Sequence, residues 1–246
     1  MNHVFDMPLV KHGFINTATL LCYCGGMTRV EFQRARSPGA KHQRQTAILT
    51  AARSLAAENG VSGVTLTDIA AAVAMHKSAM LRYFETREEI FLRLAAEAWQ
   101  EWSAALCRDL GMLVAPKTAD IAAAIAGTLA ARGLFCDLLA QTPLHLERNV
   151  SLDAVREYKL STLAEVDRLV SAIRAVLPSL TEQDAVDVVA TATSVAGTFW
   201  HIATPGPAVA ALYRSDPRLA HAILEIEPRL TRILTALLDG MAKRAG

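Results

Sequence analysis

The stretch that most restricts what this chain can fold into is residues 65–84, Thr-Leu-Thr-Asp-Ile-Ala-Ala-Ala-Val-Ala-Met-His-Lys-Ser-Ala-Met-Leu-Arg-Tyr-Phe. Thr65 followed three residues later by Asp68 is the pattern of a capping box, with a shorter carboxylate than the usual Glu. A helix should begin there. Leu66, Ile69, Ala70 and Val73 recur at helical spacing and give a buried stripe of little more than two turns. The pattern restarts with Met75, Met80 and Phe84 as apolar positions, while His76, Lys77, Ser78, Arg82 and Tyr83 are polar or amphipathic. Two short helices are expected, joined by a tight turn near Ala74.

That is helix-turn-helix organisation, in which the second helix enters the DNA major groove and its N-terminal residues meet base edges. Lys77 is then placed to contact a phosphate or a guanine edge, and His76 and Ser78 are the candidates for base readout. The same residues resemble the DNA-binding domain of the TetR (tetracycline-repressor) family of bacterial transcription regulators. The resemblance is carried by Thr65, Asp68, Ile69, Ala70, Val73 to His76, Met80, Leu81, Tyr83, Phe84, Arg87 and Glu88, and it runs from about Arg44 to Leu92. Three positions depart from the family pattern. Ala74 replaces the turn Gly, and a left-handed Ala costs roughly 1 kcal/mol against Gly, so a slightly different turn is expected. Leu81 stands where most members have a phosphate-contacting Tyr, so that contact is either lost or transferred to Tyr83. Ser78 replaces a small Gly and adds a hydroxyl that can reach phosphate or base.

The resemblance implies an all-α fold: an N-terminal three-helix helix-turn-helix domain, then a helical ligand-binding and dimerisation domain. The divisions read from the chain are 1–40 as an extension with a basic arm, 41–90 as the DNA-binding domain and 91–246 as the ligand and dimer domain. The implied function is that of a homodimeric repressor, released from a palindromic operator by a small ligand. Lys41, Arg44, Thr65, Arg82 and Tyr83 join His76, Lys77 and Ser78 as candidate DNA contacts.

A net charge of +1 over 246 residues says little. Its distribution says more, because Arg29, Arg34, Arg36, Lys41, Arg44 and Arg53 between Thr28 and Arg53 face Glu31 alone. A basic arm ahead of a helix-turn-helix suits counterion release on DNA. Cys22, Cys24, Cys107 and Cys136 are too scattered for a disulfide framework or a metal site, so reduced cysteines and a cytoplasmic location are expected. Residues 1–26 make a poor signal peptide, and Met27 is a plausible natural start, with Gly25-Gly26 marking the break. No run reaches the roughly 18 to 20 apolar residues that span a bilayer, so no membrane partner is expected.

Along the chain, Ile48, Leu49, Ala52, Leu55 and Ala56 mark a first helix over 41–59, closed by Gly60. Thr86 to Glu89 caps a long fourth helix through Trp99 and Trp102. A break at 111–117 precedes helices over 119–131 and 134–140. Residues 151–177 read as an amphipathic helix with Leu152, Val155, Leu160, Leu163, Val166, Leu169, Val170, Ile173 and Leu177 inward. Thr181 to Asp184 opens a helix to about Ala203, with Ala190, Ala192, Ala196, Gly197 and Thr198 allowing close approach. A last pattern runs from Asp216-Pro217 to Leu238, kinked or split by Pro228. These last two helices form the expected dimer pair, with Thr191, Val195, Thr198, Leu230, Leu234 and Leu237 at the seam. Trp99, Trp102, Phe135, Tyr158 and Phe199, with few charges among them, suit a largely apolar pocket for a hydrophobic ligand.

The chain has no His-Glu-x-x-His, P-loop, Gly-x-Gly-x-x-Gly or Gly-x-Ser-x-Gly pattern, so neither catalysis nor a cofactor is expected. His145, Glu147 and His201 are isolated polar residues, read as structural with ligand orientation as the other role. The competing class is a helical enzyme or ligand carrier with a vestigial motif; Lys77, Arg82 and Arg44 speak against it.

Overall fold

The computed structural model describes residues 38–222 and 224–244. Arg29, Arg34, Arg36, Cys22, Cys24 and the start proposed at Met27 lie outside the described residues. All the helices belong to one compact unit, Arg36–Gly246. Among the described residues the fold is all-α: α1 Pro38–Asn59, α2 Leu66–Ala72, α3 Lys77–Met80, α4 Arg87–Gly111, α5 Thr118–Ala130, α6 Gly133–Gln141, α7 Leu152–Val176, α8 Glu182–Ala203, α9 Pro207–Ser215 and α10 Ile226–Arg244. No single helix among them is long and apolar enough to cross a membrane.

The head is α1 to α3 with the start of α4. Ile48, Ala52 and Ala56 bury one face of α1. Gly60 ends that helix, its N–H reaching the Ala56 carbonyl at 2.9 Å and its φ of 72° turning the chain into a short 3-10 turn, Val61–Gly63. The capping box of α2 is present in full. The Asp68 N–H donates to Thr65 Oγ1 at 3.2 Å, and the Thr65 N–H donates to the Asp68 carboxylate at 2.8 Å. Bonds from the Thr65 hydroxyl and amide hold Asp68 below the usual carboxylate range.

The turn after α2 answers the question raised by Ala74. The Met75 N–H donates to the Ala70 carbonyl at 2.8 Å and the Ala74 N–H to the Ala71 carbonyl at 3.1 Å, the paired bonds of a Schellman motif. Ala74 occupies the left-handed position with φ 52°. The turn therefore keeps the geometry that favours Gly, and the Ala carries the strain. Met75 packs against the core on one side, and Met80 and Phe84 anchor α3 from beneath.

The core pairs α4 with α7, α5 with α10 and α6 with α8. Two expectations are corrected here. In α7 the inward face holds Tyr158, Glu165, Leu169, Val170 and Ile173, whereas Leu152, Leu160 and Leu163 are 82%, 61% and 56% exposed. The register is set by Tyr158, whose hydroxyl lies 3.3 Å from Trp99 Nε1, because a buried indole N–H needs an acceptor. That rotation also buries Glu165, paired with Arg168 at 3.1 Å. In α10, Leu230 and Leu234 are fully buried with Leu238 inside the protomer, where α10 packs mainly on α5, and so they cannot form an outer seam.

The C-terminal pattern is split more than Pro228 alone requires. A 3-10 segment, Pro217–Ala222, precedes α10, and Pro228 falls in the first turn of α10, where a missing N–H costs nothing. The helix α9 had no expectation behind it and contributes no buried residue. The small face of α8 receives α6: a Cβ on Gly197 would stand 3.1 Å from both the Ala140 nitrogen and the Cys136 carbonyl oxygen.

Candidate functional site

On the head, the sequence candidates separate by exposure. His76, Lys77 and Ser78 at the start of α3 are exposed, as is Arg82 on the turn that follows, above the buried Met80 and Phe84. The His76 carbonyl accepts the N–H groups of Ala79 and Met80 at 2.8 and 3.2 Å, so α3 is fixed by its backbone while the polar side chains stay free of capping duty. Leu81 is 51% exposed beside them. Tyr83 is half-buried, packed against the core, with its carbonyl 3.5 Å from Gln45 Nε2. Lys41 is exposed near the start of α1, but Arg44 is buried, only 8% exposed. Thr65 has its hydroxyl committed to Asp68 at 2.6 Å, which makes it a helix cap.

The turn between α1 and α2 is gripped from two sides. Arg87, at the start of α4, donates to the carbonyls of Val61 and Val64 and stacks 4.7 Å over the Phe91 ring. Asp137, on α6, accepts the Val61 N–H at 2.7 Å. The second Asp137 oxygen lies 3.2 Å from His201 Nε2 on α8. His201, read as an isolated histidine, thus belongs to a chain of contacts that ends in the head.

The aromatic candidates do not make one pocket. Trp99, Trp102 and Phe135 form a packed triad with ring centroids 5.4 to 5.6 Å apart. Trp102 Nε1 donates to Thr128 at 3.0 Å, so both indoles are satisfied within the core. Phe199 is half-buried elsewhere, under the Arg229 guanidinium at 5.8 Å. Among the described residues, one cleft touches Phe135 of this triad and a larger one passes Tyr158, the partner of Trp99. The larger, about 660 Å³, runs between α1, α4 and α7 past Tyr158 and is lined by charged pairs, Arg53 with Glu97 and Arg93 with Glu157. Desolvation raises the pKa of Glu89 on its wall. The smaller, about 290 Å³, lies against Leu94, Ala98, Leu134, Phe135 and Leu138, with Arg53, Glu101 and Arg132 also on its lining. Trp99 and Trp102 line neither. Trp200, which no sequence pattern singled out, closes over Gly133 so tightly that a Cβ there would lie 2.1 Å from its ring.

Two family models match in register with this geometry. Residues 48–94 match that of the bacterial regulatory proteins of the tetR family, and residues 96–245 match the tetracyclin repressor-like C-terminal domain. The chain belongs to the TetR family. It is a DNA-binding transcription regulator whose helix-turn-helix is α2 and α3. No curated protein sequence matches it. The fold is shared with the fatty acid degradation regulator FadR from Bacillus halodurans at 15% identity and a TM-score of 0.51, covering 79% of this chain and 97% of that one. It is shared equally with the regulator FadR from Bacillus subtilis in complex with stearoyl-CoA, at 14% identity and 0.50, covering 78% and 96%. A tetR-family regulatory protein from Rhodococcus RHA1 matches at 18% and 0.50, covering 79% and 96%. At these identities the likeness to the solved structures is one of fold alone.

Proposed function

We propose that this TetR-family regulator is a homodimeric repressor that leaves a palindromic operator when a small, mostly hydrophobic ligand binds. The observation that carries the reading is the exposed polar turn of His76, Lys77, Ser78 and Arg82 held rigidly above buried Met80 and Phe84. Such a surface meets base edges with its helix start and phosphates with its cations. Lys41 extends it along α1.

For the ligand, the smaller cleft offers an apolar wall with a few charged groups, the composition expected of a small-molecule site. Phe135 is the member of the expected aromatic set that lines it, and Tyr158 lines the more polar cleft. The stearoyl-CoA held by the Bacillus subtilis relative makes acyl-CoA thioesters the first class to try. For the dimer, α8 and α10 remain the candidate pair, with the seam moved outward to the partly exposed Thr191, Val195, Thr198 and Leu237. A ligand releases DNA only if it binds one arrangement of the heads better than the other.

Selection of bound DNA from a random pool, followed by a release screen with acyl-CoA and other apolar compounds, tests the reading. The expected result is an enriched palindrome and a compound that weakens operator binding by the same factor by which operator weakens its own binding. A pool without enrichment contradicts the DNA reading, and a screen in which no compound weakens operator binding contradicts the ligand reading.

A further inference from the structure

We infer that Asp137 is a positioning residue for DNA recognition, the group through which the helical core holds the head at the Val61 peptide. The inference rests on the operator-binding reading above and adds a residue that neither the motif nor the family match assigns.

Three elements meet at this carboxylate. Gly60, at φ 72°, turns the chain so that the next amide leaves α1 and faces α6, and a Cβ on Gly60 would lie 3.5 Å from Asp137 Oδ2. The Val61 N–H donates to that oxygen at 2.7 Å across 76 residues of sequence. Asp137 Oδ1 is buried, makes no hydrogen bond among the described residues, and lies 3.2 Å from His201 Nε2. Asp137 itself is 5% exposed. Its neighbour Cys136 is no competitor for the negative charge, since burial first and the Asp137 charge second push that thiol up to about 12.

A buried carboxylate is costly unless it has charge-assisted partners, so its presence in an otherwise apolar helix needs a reason. The reason the geometry supplies is orientation. Arg87 from α4 holds the Val61 carbonyl, in the Val61–Ser62 peptide, and Asp137 holds the N–H of the preceding Gly60–Val61 peptide, so the backbone on both sides of the Val61 Cα is fixed where the turn leads towards α2. Arg87 acts from the helix that continues out of the head, whereas Asp137 acts from the core. α6 also carries Leu134, Phe135 and Leu138 along the smaller cleft, so the residue that holds the head sits on a helix that a molecule in the cleft would touch.

The test uses the full chain and an operator selected from a random pool. Amide exchange at Val61 is followed alongside affinity for operator and for non-specific DNA, in wild type, Asp137→Ala and Asp137→Asn. An Asn oxygen can accept the Val61 N–H while its amide faces His201 Nε2, so D137N should keep Val61 exchange and operator affinity within about threefold of wild type. D137A should speed Val61 exchange by roughly tenfold or more and weaken operator binding by a similar factor, the scale of one lost charge-assisted hydrogen bond. Its non-specific affinity should not move. If D137A does not fold, His201→Ala carries the test, because His201 is partly exposed and its loss frees the carboxylate to rotate; Val61 exchange should then rise about twofold or more. Wild-type exchange at Val61 in D137A, or in H201A where D137A does not fold, or an operator loss in D137A matched by an equal non-specific loss, overturns the inference. A wild-type protein that binds no operator overturns the parent reading instead, while the exchange measurement still decides the contact.

Discussion

The head and the core of this molecule are built by different rules, and the difference shows in how each uses its apolar residues. In the head, every short helix has one buried stripe, and local signals fix its ends: the Thr65 and Asp68 box, the Ala74 turn, and Met80 and Phe84 underneath. In the core, long helices have more apolar residues than one face can bury, and a few polar hydrogen bonds decide which face turns inward. Leu160 is 61% exposed while Glu165, five residues on, is 5% exposed. The head is therefore defined by spacing, and the core by partners distant in sequence.

The largest expected effect separates two leucines that look alike in sequence. Leu234→Ala, at a fully buried site against α5, should cost about 2 to 5 kcal/mol of stability. Leu160→Ala should stay within about 0.5 kcal/mol. Chemical denaturation of both variants reads the contrast, and equal losses would return α7 to the leucine-inward arrangement.

Next in size is the head surface. Lys77→Ala should weaken operator binding by roughly 1 to 3 kcal/mol while leaving thermal unfolding unchanged. Lys41→Gln should lower the slope of log affinity against log salt by about 1, the signature of one phosphate contact. Unchanged affinity in K77A at moderate salt would remove Lys77 from the interface. Arg44→Gln, at a buried position, should act on stability more than on the salt slope.

How far the sequence could be read follows from the same contrast. The helix-turn-helix was legible, because capping and turn chemistry act within four or five residues, but the left-handed geometry kept at Ala74 was not, since an Ala in place of Gly pointed to a slightly altered turn. The α7 face was not, since Leu152, Leu160 and Leu163 satisfy helical spacing as well as Tyr158, Leu169 and Ile173 do. The choice lies with Trp99, 59 residues away. The aromatic candidates failed to converge for a related reason: composition brought them together, but Trp99 and Trp102 pack with Phe135 while Phe199 goes to Arg229. Asp137 gave no signal at all, being one carboxylate in an apolar run whose partner is a backbone amide.

A smaller effect tests the Schellman turn. Ala74→Gly should raise stability by about 1 kcal/mol, because the turn already has the backbone conformation that Gly adopts without strain. A destabilised variant would mean that the turn is not left-handed in solution.

The smallest effect is in the pH response of the helix caps. Asp68 and Asp184 are both held below their ordinary values, first by hydroxyl bonds from Thr65 and Thr181. Groups with depressed folded values contribute stability above their unfolded values, near 3.8, and lose it as pH falls through the folded ones. The double variant Asp68→Asn, Asp184→Asn should therefore show a flatter loss of stability below about pH 4 than wild type. An identical acid limb in the two proteins would show that the caps do not titrate with folding.

The central claim is that exposed residues of the α3 turn read DNA while the buried residues beneath them only hold the turn in place. Repeating the random-pool selection with His76→Ala and Ser78→Ala measures this directly. The account predicts that each variant folds as wild type and enriches an operator with relaxed preference at a matching position in both half-sites. The same sharp operator recovered from both variants would contradict it.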